Sequence, residues 1–541
     1  MPAATPPFPP LTGTGTGTGT GITKLTNCRL IIGESLIPSE LFIDSLTGKI
    51  LELSSTLLPD ITLDLQNRIV SPGLIDCQLN GAFGFNFSTL TSSTEYLKNV
   101  HSLNKKLIRT GVTSYLPTLT SQKPELYHSA LPHLGPLPGI SSSSNVHNHH
   151  HRNPQNGSES LGAHVEGPFL SPLQHGIHDP SVLRAAHSFQ DLEHVYGSSN
   201  LSSGSSGERE ANIKLITIAP ERGSIVTLIP ELVSRGIIVS IGHTETSLPV
   251  AAAAVKAGAT MITHLFNAMR PLHHREPGVF GLLGLAGPTS REEEDKTCKR
   301  PYYGVIADGI HLHPLSVSLA YNLHPKGFIL VTDAMHLAGM PDGKYEWVNG
   351  EKTEWIEKRG SKLCIAEPPL PSSSSSSSSL PPSPPSSPPQ SLLKGKQNGH
   401  HHVNGSANGG PGRSQGEEVT TQNGNGVEKK KKCGGGIAGS SATLLECVNN
   451  VLQWTGMPVP RALASVTSTP AEMLGLKGVK GSLKPGADAD LVVFEEVEVE
   501  VEDLLDGSGK ISRKQLVVEE VWKFGERVFV RDRTALVSSK S

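Results

Sequence analysis

Four polar residues each close a short apolar run. Glu166 ends "GAHVEG", His243 ends "GIIVSIGH", His264 ends "MITH" and Asp333 ends "FILVTD". One carboxylate and two imidazoles from separate strands, with a fourth position open, make a mononuclear catalytic zinc set. A lone strand-end His is usually a packing or hydrogen-bonding residue, but three potential ligands plus an acid, each at a strand end, resist that explanation. Asp333 suits a hydrolysis that deprotonates a metal-activated water and then protonates a leaving nitrogen. Helix capping is the alternative for Asp333, and "TDAMHLAGM" does not begin like a regular helix.

Two further clusters could serve a substrate. "HLFNAMRPLHHREPG" places Asn267, Ala268 and Arg275 after His264, and "ADGIHLHP" offers His311. Asn, Arg, His and backbone N–H groups are the donors that grip phosphate or another anion. His273, His274 and His313 have no such support and read as structural. His178 lies twelve residues after Glu166 in "HGIHDP". There it could polarise a carbonyl oxygen or make one local loop bond, and the residues leave both open.

The elements that must position these groups alternate. Runs such as "LGAHVEG", "IKLITIAPE", "GIIVSIGHT", "TMITHLFN", "YYGVIADGIH" and "GFILVTDAM" recur with helix-like segments between them. Strands rich in Ile, Val and Leu without strict alternation are buried on both faces, as in a parallel sheet. Repeated βα units predict an α/β fold, a (β/α)8 TIM-type barrel with strand-end chemistry. The flanks differ: "TKLTNCRLIIGESLIPSELFIDSLTGKILEL" and "GSLKPGADADLVVFE" with "QLVVEEVWKFGERVF" read as hairpins. They predict a small β-sandwich domain from residues 22–70 and 482–535, around a catalytic barrel over 71–481.

Composition marks what lies outside the core. Residues 1–21 are rich in Pro, Gly and Thr, and polar tracts interrupt the barrel at about 139–160, 197–211, 289–300 and 367–433. Such segments bury too little apolar surface to offset their ordering entropy and are expected to be disordered. Several of the 23 His fall in these tracts and read as filler rather than ligands. With 47 Lys and Arg against 50 Asp and Glu, the net charge of −3 gives no reason to expect nucleic-acid or membrane binding. The six Cys form no C-x-x-C pair, which suggests reduced thiols. No signal peptide or membrane-length apolar run is visible, so a cytoplasmic protein is expected. The "KKKK" run at 429–432 is an alternative nuclear address that reads more simply as a solvated linker end.

Taken in order, "SPGLIDCQLNGAFGFNF", "HVEGPFLSPLQHGIHDP", "TIAPE", "SIGHT", "THLFNAMRPLHHREPG", "IADGIHLHP", "LVTDAMHLAG" and "IAGSSATLLECV" resemble the N-acetylglucosamine-6-phosphate deacetylases of the amidohydrolase superfamily. The resemblance runs from about residue 23 to 530. It implies a barrel with a β-sandwich from both termini, usually in a homodimer, and hydrolysis of N-acetyl-D-glucosamine 6-phosphate to D-glucosamine 6-phosphate and acetate in amino-sugar catabolism. It implies Glu166, His243 and His264 as ligands of one divalent metal, zinc first, with Asp333 as acid/base and His178 polarising the acetyl carbonyl. Asn267, Ala268, Arg275 and His311 match substrate-binding positions, with phosphate contacts from the neighbouring subunit. Ile177, Ile437, Ala438 and Gly439 match further contacts. Related barrels that bind two metals carry His-x-His where this chain has Gln78 and Asn80. Neutral amides are poor zinc ligands beside imidazole and carboxylate, so these two are expected to act around the metal rather than on it.

Overall fold

A computed structural model describes residues 20–54, 56–136, 152–202, 210–285, 300–349, 352–367, 439–502 and 509–532. Most of the expected tail and of the four expected inserts lies outside them. Two of those inserts are narrower than composition implies. Arg152 bonds Asp488 at 2.7 Å, and Glu159–Ser160 is a short strand. Leu201 is fully buried beside the short helix Ser198–Asn200. Composition counts these polar residues as solvent-seeking, whereas here they have buried partners. Cys28, Cys77 and Cys447 are free and buried. Cys364 is disulfide-bonded, which corrects the expectation of reduced thiols throughout, since thiol pairing depends on spatial proximity and not on sequence spacing.

Eight parallel strands form the barrel, in chain order Leu74–Leu79, Val112–Leu119, Ala163–Glu166, Ile213–Ile218, Ile238–Ile241, Met261–Ile262, Tyr302–Ile306 and Phe328–Val331. Each pairs with its neighbour in sequence. The first and eighth strands meet through a parallel bridge from Leu79 to Ala334 and an Asp333 N–H bond to the Gln78 carbonyl at 2.9 Å. The strands are apolar and almost wholly buried, as expected where helices cover one face and the barrel interior the other. Covering helices include Ser93–Leu107, Ile225–Ser234, Leu248–Ala257 and Pro314–Leu323. The last of the ring, Leu444–Thr455, opens on a Thr443/Glu446 capping box and stops at Gly456, whose φ of 65° suits glycine.

Both chain ends build a second sheet. Its seven strands run Glu526–Val530, Lys510–Lys523, Leu491–Glu502, Ile61–Pro72, Ile22–Ile32, Ser35–Asp44 and Lys49–Leu51 across the sheet. Leu25, Ile43, Val70, Leu491, Val493 and Trp522 form its core. A barrel with a small β-domain from the termini is therefore the architecture. Lys480 and Lys523, both buried, tie the two parts together through Glu159 and Asp490. After the eighth strand, Gly343–Asn349, Lys352–Arg359 and Lys362–Ala366 form a separate three-stranded sheet.

Candidate metal centre and active site

The parallel register delivers Glu166, His243 and His264 to one end of the barrel, and all three are buried. Glu166 Oε1 lies 3.3 Å from His243 Nε2 and 3.0 Å from His264 Nε2, and the two nitrogens are 3.0 Å apart. A tetrahedral zinc with ligands at about 2.0–2.1 Å sets neighbouring ligand atoms about 3.3 Å apart. Three converging donor atoms at that spacing fit a divalent cation. His243 is oriented by its Nδ1, which bonds the Gln174 carbonyl at 2.8 Å. Both His and Asp333 have left-handed backbone, with φ of 48°, 25° and 47°, a strained state for side chains of this kind that persists where surrounding structure enforces it.

Charge in this pocket follows from burial and proximity. Burial favours a protonated Glu166, but bonds from the two imidazoles outweigh it and hold the carboxylate well below its usual range. Burial depresses His264, yet Glu166 beside it prevails and lifts the imidazole to about 9. Asp333 is pushed up to about 7, by burial first and then by the Glu166 charge. A carboxyl poised there can take and return a proton near neutral pH. Residues 334–342, directly after Asp333, form turns and lead into the strand Gly343–Asn349, so helix capping does not explain it.

Gln78 and Asn80 point at the carboxylates. Gln78 Nε2 donates to Glu166 Oε1 at 2.8 Å and to Asp333 Oδ1 at 3.1 Å, and Asn80 Nδ2 donates to the same Asp333 oxygen at 2.6 Å. Asn80 Oδ1 is buried without a hydrogen-bond partner among the described residues. His178 is buried, its Nδ1 accepting the Ser121 N–H at 3.0 Å. A backbone N–H can only donate, so in the neutral ring the proton sits on Nε2, 3.8 Å from Glu166 Oε2. Burial, then the His243 charge, lowers the His178 pKa to about 3, which keeps the ring neutral with one N–H facing the site.

The substrate candidates are more dispersed. Ala268 has φ of 49° and bonds the Thr244 N–H through its carbonyl. Asn267 reaches the His264 carbonyl at 3.4 Å. His311 Nδ1 is fixed on Asp308 at 2.7 Å, and its charge acts on Asp333. Ile177 packs against the Met335 and Trp347 cluster. Gly439, with φ of 79°, has no room for a Cβ, which would lie 2.5 Å from Met335 Cγ. Ile437 and Ala438 lie outside the described residues. Arg275 is exposed, and among the described residues no contact brings it to Glu166, Asp333 or His311. Sequence reasoning missed Ser121, Gln174 and Asp308, which orient His178, His243 and His311. Position after a strand was the available signal for Ser121 and Asp308, and nothing marked Gln174.

A buried carboxylate and two imidazoles converging at the open end of a (β/α)8 barrel, with an acid beside them, define a metal-dependent amidohydrolase. A model of the amidohydrolase family matches residues 442–529. The N-acetylglucosamine-6-phosphate deacetylase of Danio rerio is 32% identical over 483 residues, covering 88% of this chain and 93% of that protein. The human enzyme of the same name is 31% identical over 482 residues, covering 88% and 92%. The chain belongs to the N-acetylglucosamine-6-phosphate deacetylase family. Its fold matches the crystal structure of the Pasteurella multocida deacetylase with a TM-score of 0.62 at 22% identity, covering 94% of this chain and all of that one.

Proposed function

We propose that this chain hydrolyses the acetamide of N-acetyl-D-glucosamine 6-phosphate, releasing acetate and D-glucosamine 6-phosphate, in the cytoplasm and in amino-sugar catabolism. The observation that carries the reading is the approach of Glu166, His243 and His264 within 3.3 Å of one another, with Asp333 held beside them by Gln78 and Asn80. Glu166, His243 and His264 would hold one divalent ion, zinc by the nature of the donors. When bound, that ion supplies a Lewis acid that makes water acidic enough to attack an amide. Asp333 accepts the proton of the attacking water at its carboxylate. It then delivers that proton to the sugar nitrogen as the C–N bond breaks. His178 donates its Nε2–H to the acetyl oxygen as negative charge gathers there.

His311, Asn267 and the backbone at Ala268 and Gly439 orient the sugar and its phosphate. Exposed Arg275 serves the pocket of a second subunit in a homodimer. Leu315, Leu319 and Leu323 are all more than a third exposed along one helix, at the i, i+4, i+8 spacing of a single stripe, and supply an apolar face for that association. No helix among the described residues is long and apolar enough to cross a membrane. The test is acetate release from N-acetylglucosamine 6-phosphate with metal content measured on the same sample. About one divalent ion per chain and rapid release are expected. Metal-loaded protein that releases no acetate, or that acts faster on the galactosamine epimer, refutes the reading.

A further inference from the structure

The interior of such a barrel is ordinarily filled by Val, Ile and Leu. Directly beneath the candidate metal ligands this one is polar. Ser240 Oγ lies 2.6 Å from Thr263 Oγ1, Thr263 Oγ1 lies 2.7 Å from Thr217 Oγ1, and Thr217 Oγ1 lies 2.7 Å from His164 Nε2. His164 Nδ1 continues to Thr118 Oγ1 at 3.4 Å, and Thr118 bonds the Leu116 carbonyl at 3.2 Å. All five side chains are buried. The hydrogens fit one direction: Ser240 donates to Thr263, Thr263 to Thr217, Thr217 to His164 Nε2, His164 Nδ1 to Thr118, and Thr118 to the backbone.

The placement of this ladder is specific. His164 shares the third strand with Glu166, two residues away and on the same face. Ser240 lies in the fifth strand, which leads into His243, and Thr263 immediately precedes His264. The fourth strand carries no candidate ligand, yet its Thr217 is the link that joins the Glu166 strand to the two His strands. Gly242 leaves the room, because a Cβ there would meet Thr263 Cβ at 2.7 Å and Thr217 Cγ2 at 2.9 Å. His264 has a particular need of such support. Its Nδ1 is buried with no partner among the described residues, so the nitrogen that faces away from the candidate metal position is not held by a hydrogen bond, whereas Nδ1 of His243 is held by Gln174.

We propose that the Ser240–Thr263–Thr217–His164 ladder is a positioning device that sets the spacing of the three metal ligands, with Thr217 as its keystone. This rests on the metal reading above. Directional bonds between buried hydroxyls specify one arrangement of the strands, where apolar contacts would tolerate several. Thr217→Val keeps the shape, removes the hydroxyl and cuts the ladder between the third strand and the other two.

Zn2+ affinity of the full chain, measured by competition with a chromophoric chelator, tests this. Thr217→Val should bind Zn2+ on the order of ten-fold more weakly, the scale on which supporting hydrogen bonds act at metal sites. Thr217→Ser, which restores the hydroxyl, should return to within about three-fold of wild type on that same scale. Thr217→Val that unfolds at a lower temperature without metal but binds Zn2+ as wild type does would overturn the proposal, since the ladder would then be packing alone. If Thr217→Val does not fold, Ser240→Ala at the ladder's end serves, and unchanged Zn2+ affinity there overturns it equally. Wild type that takes up no Zn2+ would sink the metal reading itself along with the ladder.

Discussion

Asn80 offers a direct test of how Asp333 is tuned. Its Nδ2 donates to Asp333 Oδ1 at 2.6 Å, the shorter of the two amide bonds to that oxygen. Asp333 sits at about 7 because burial and Glu166 push it up, while the Asn80 bond pulls it down. A hydrogen bond to a charged group contributes about 1.5–3 kcal/mol, and each pH unit corresponds to about 1.4 kcal/mol. Asn80→Leu keeps similar bulk and removes the donor, so the carboxyl should rise by about one to two pH units. Asp333 must be ionised to accept the water's proton, so the acidic limb of the kcat/KM profile moves up by that amount. Activity then falls about ten- to hundred-fold at pH well below the limb and recovers toward wild type in alkali. The measurement is acetate release against pH in both proteins at saturating metal. The difference between them is the readout, since a bound cation lowers both profiles together. A limb that stays put or moves down, or an equal loss at every pH, would refute the idea that Asn80 acts by stabilising the ionised Asp333.

Other perturbations read other parts of the site. Asp333→Asn should nearly abolish deacetylation while metal content, measured by elemental analysis, stays at the wild-type level. Arg275→Ala should raise KM for the 6-phosphate sugar far more than for unphosphorylated N-acetylglucosamine, and equal effects on both would exclude a phosphate role. Without metal, His264 is protonated below about pH 9, so cation uptake at neutral pH must displace that proton. Calorimetric Zn2+ titrations in buffers of different ionisation enthalpy should report about one proton released from this group near pH 7, with affinity falling as pH drops further. At the junction of barrel and β-domain, Lys480 serves Glu159, Asp488 and Asp490. Lys480→Met should destabilise the fold by about 1.5–3 kcal/mol, the scale of charge-assisted bonds lost, because Lys523, Arg152 and Lys49 still pair with the same carboxylates, read as a lower midpoint in thermal or urea unfolding.

What the sequence discloses about this site depends on whether a contact is local. Glu166, His243, His264 and Asp333 are legible because each ends an apolar run, and in a parallel barrel the run and its last residue fix the position together. Gln78 and Asn80 are legible as neutral amides in place of His. Their grip on Asp333 is not, because it exists only where the eighth strand closes onto the first, 255 and 253 residues away in the chain. Arg152 and Glu159 sit inside a tract whose composition reads as disordered, since a polar residue with a buried partner looks the same in sequence as one without. Thr217 in "IKLITI" is hidden for the converse reason. A β-branched residue belongs in a strand on propensity alone, and nothing local separates a Thr chosen for its shape from one chosen for its hydroxyl.

The backbone at the site carries the same lesson further. Left-handed conformations usually announce themselves through Gly or Asn. At residues 243, 264 and 333 the chemistry needs imidazole and carboxylate, so the usual marker is absent and the strain is invisible in the sequence. Such backbone costs on the order of 1–3 kcal/mol at each position, and the surrounding bonds must hold it. Gln174 holds the His243 ring, and Gln78 with Asn80 holds the Asp333 carboxylate, while His264 has no such bond to its free nitrogen. Of the three strained residues, His264 therefore depends most on the residue before it, and Thr263 is the one rung of the buried ladder that is hydrogen-bonded on both sides to hydroxyls, those of Ser240 and Thr217.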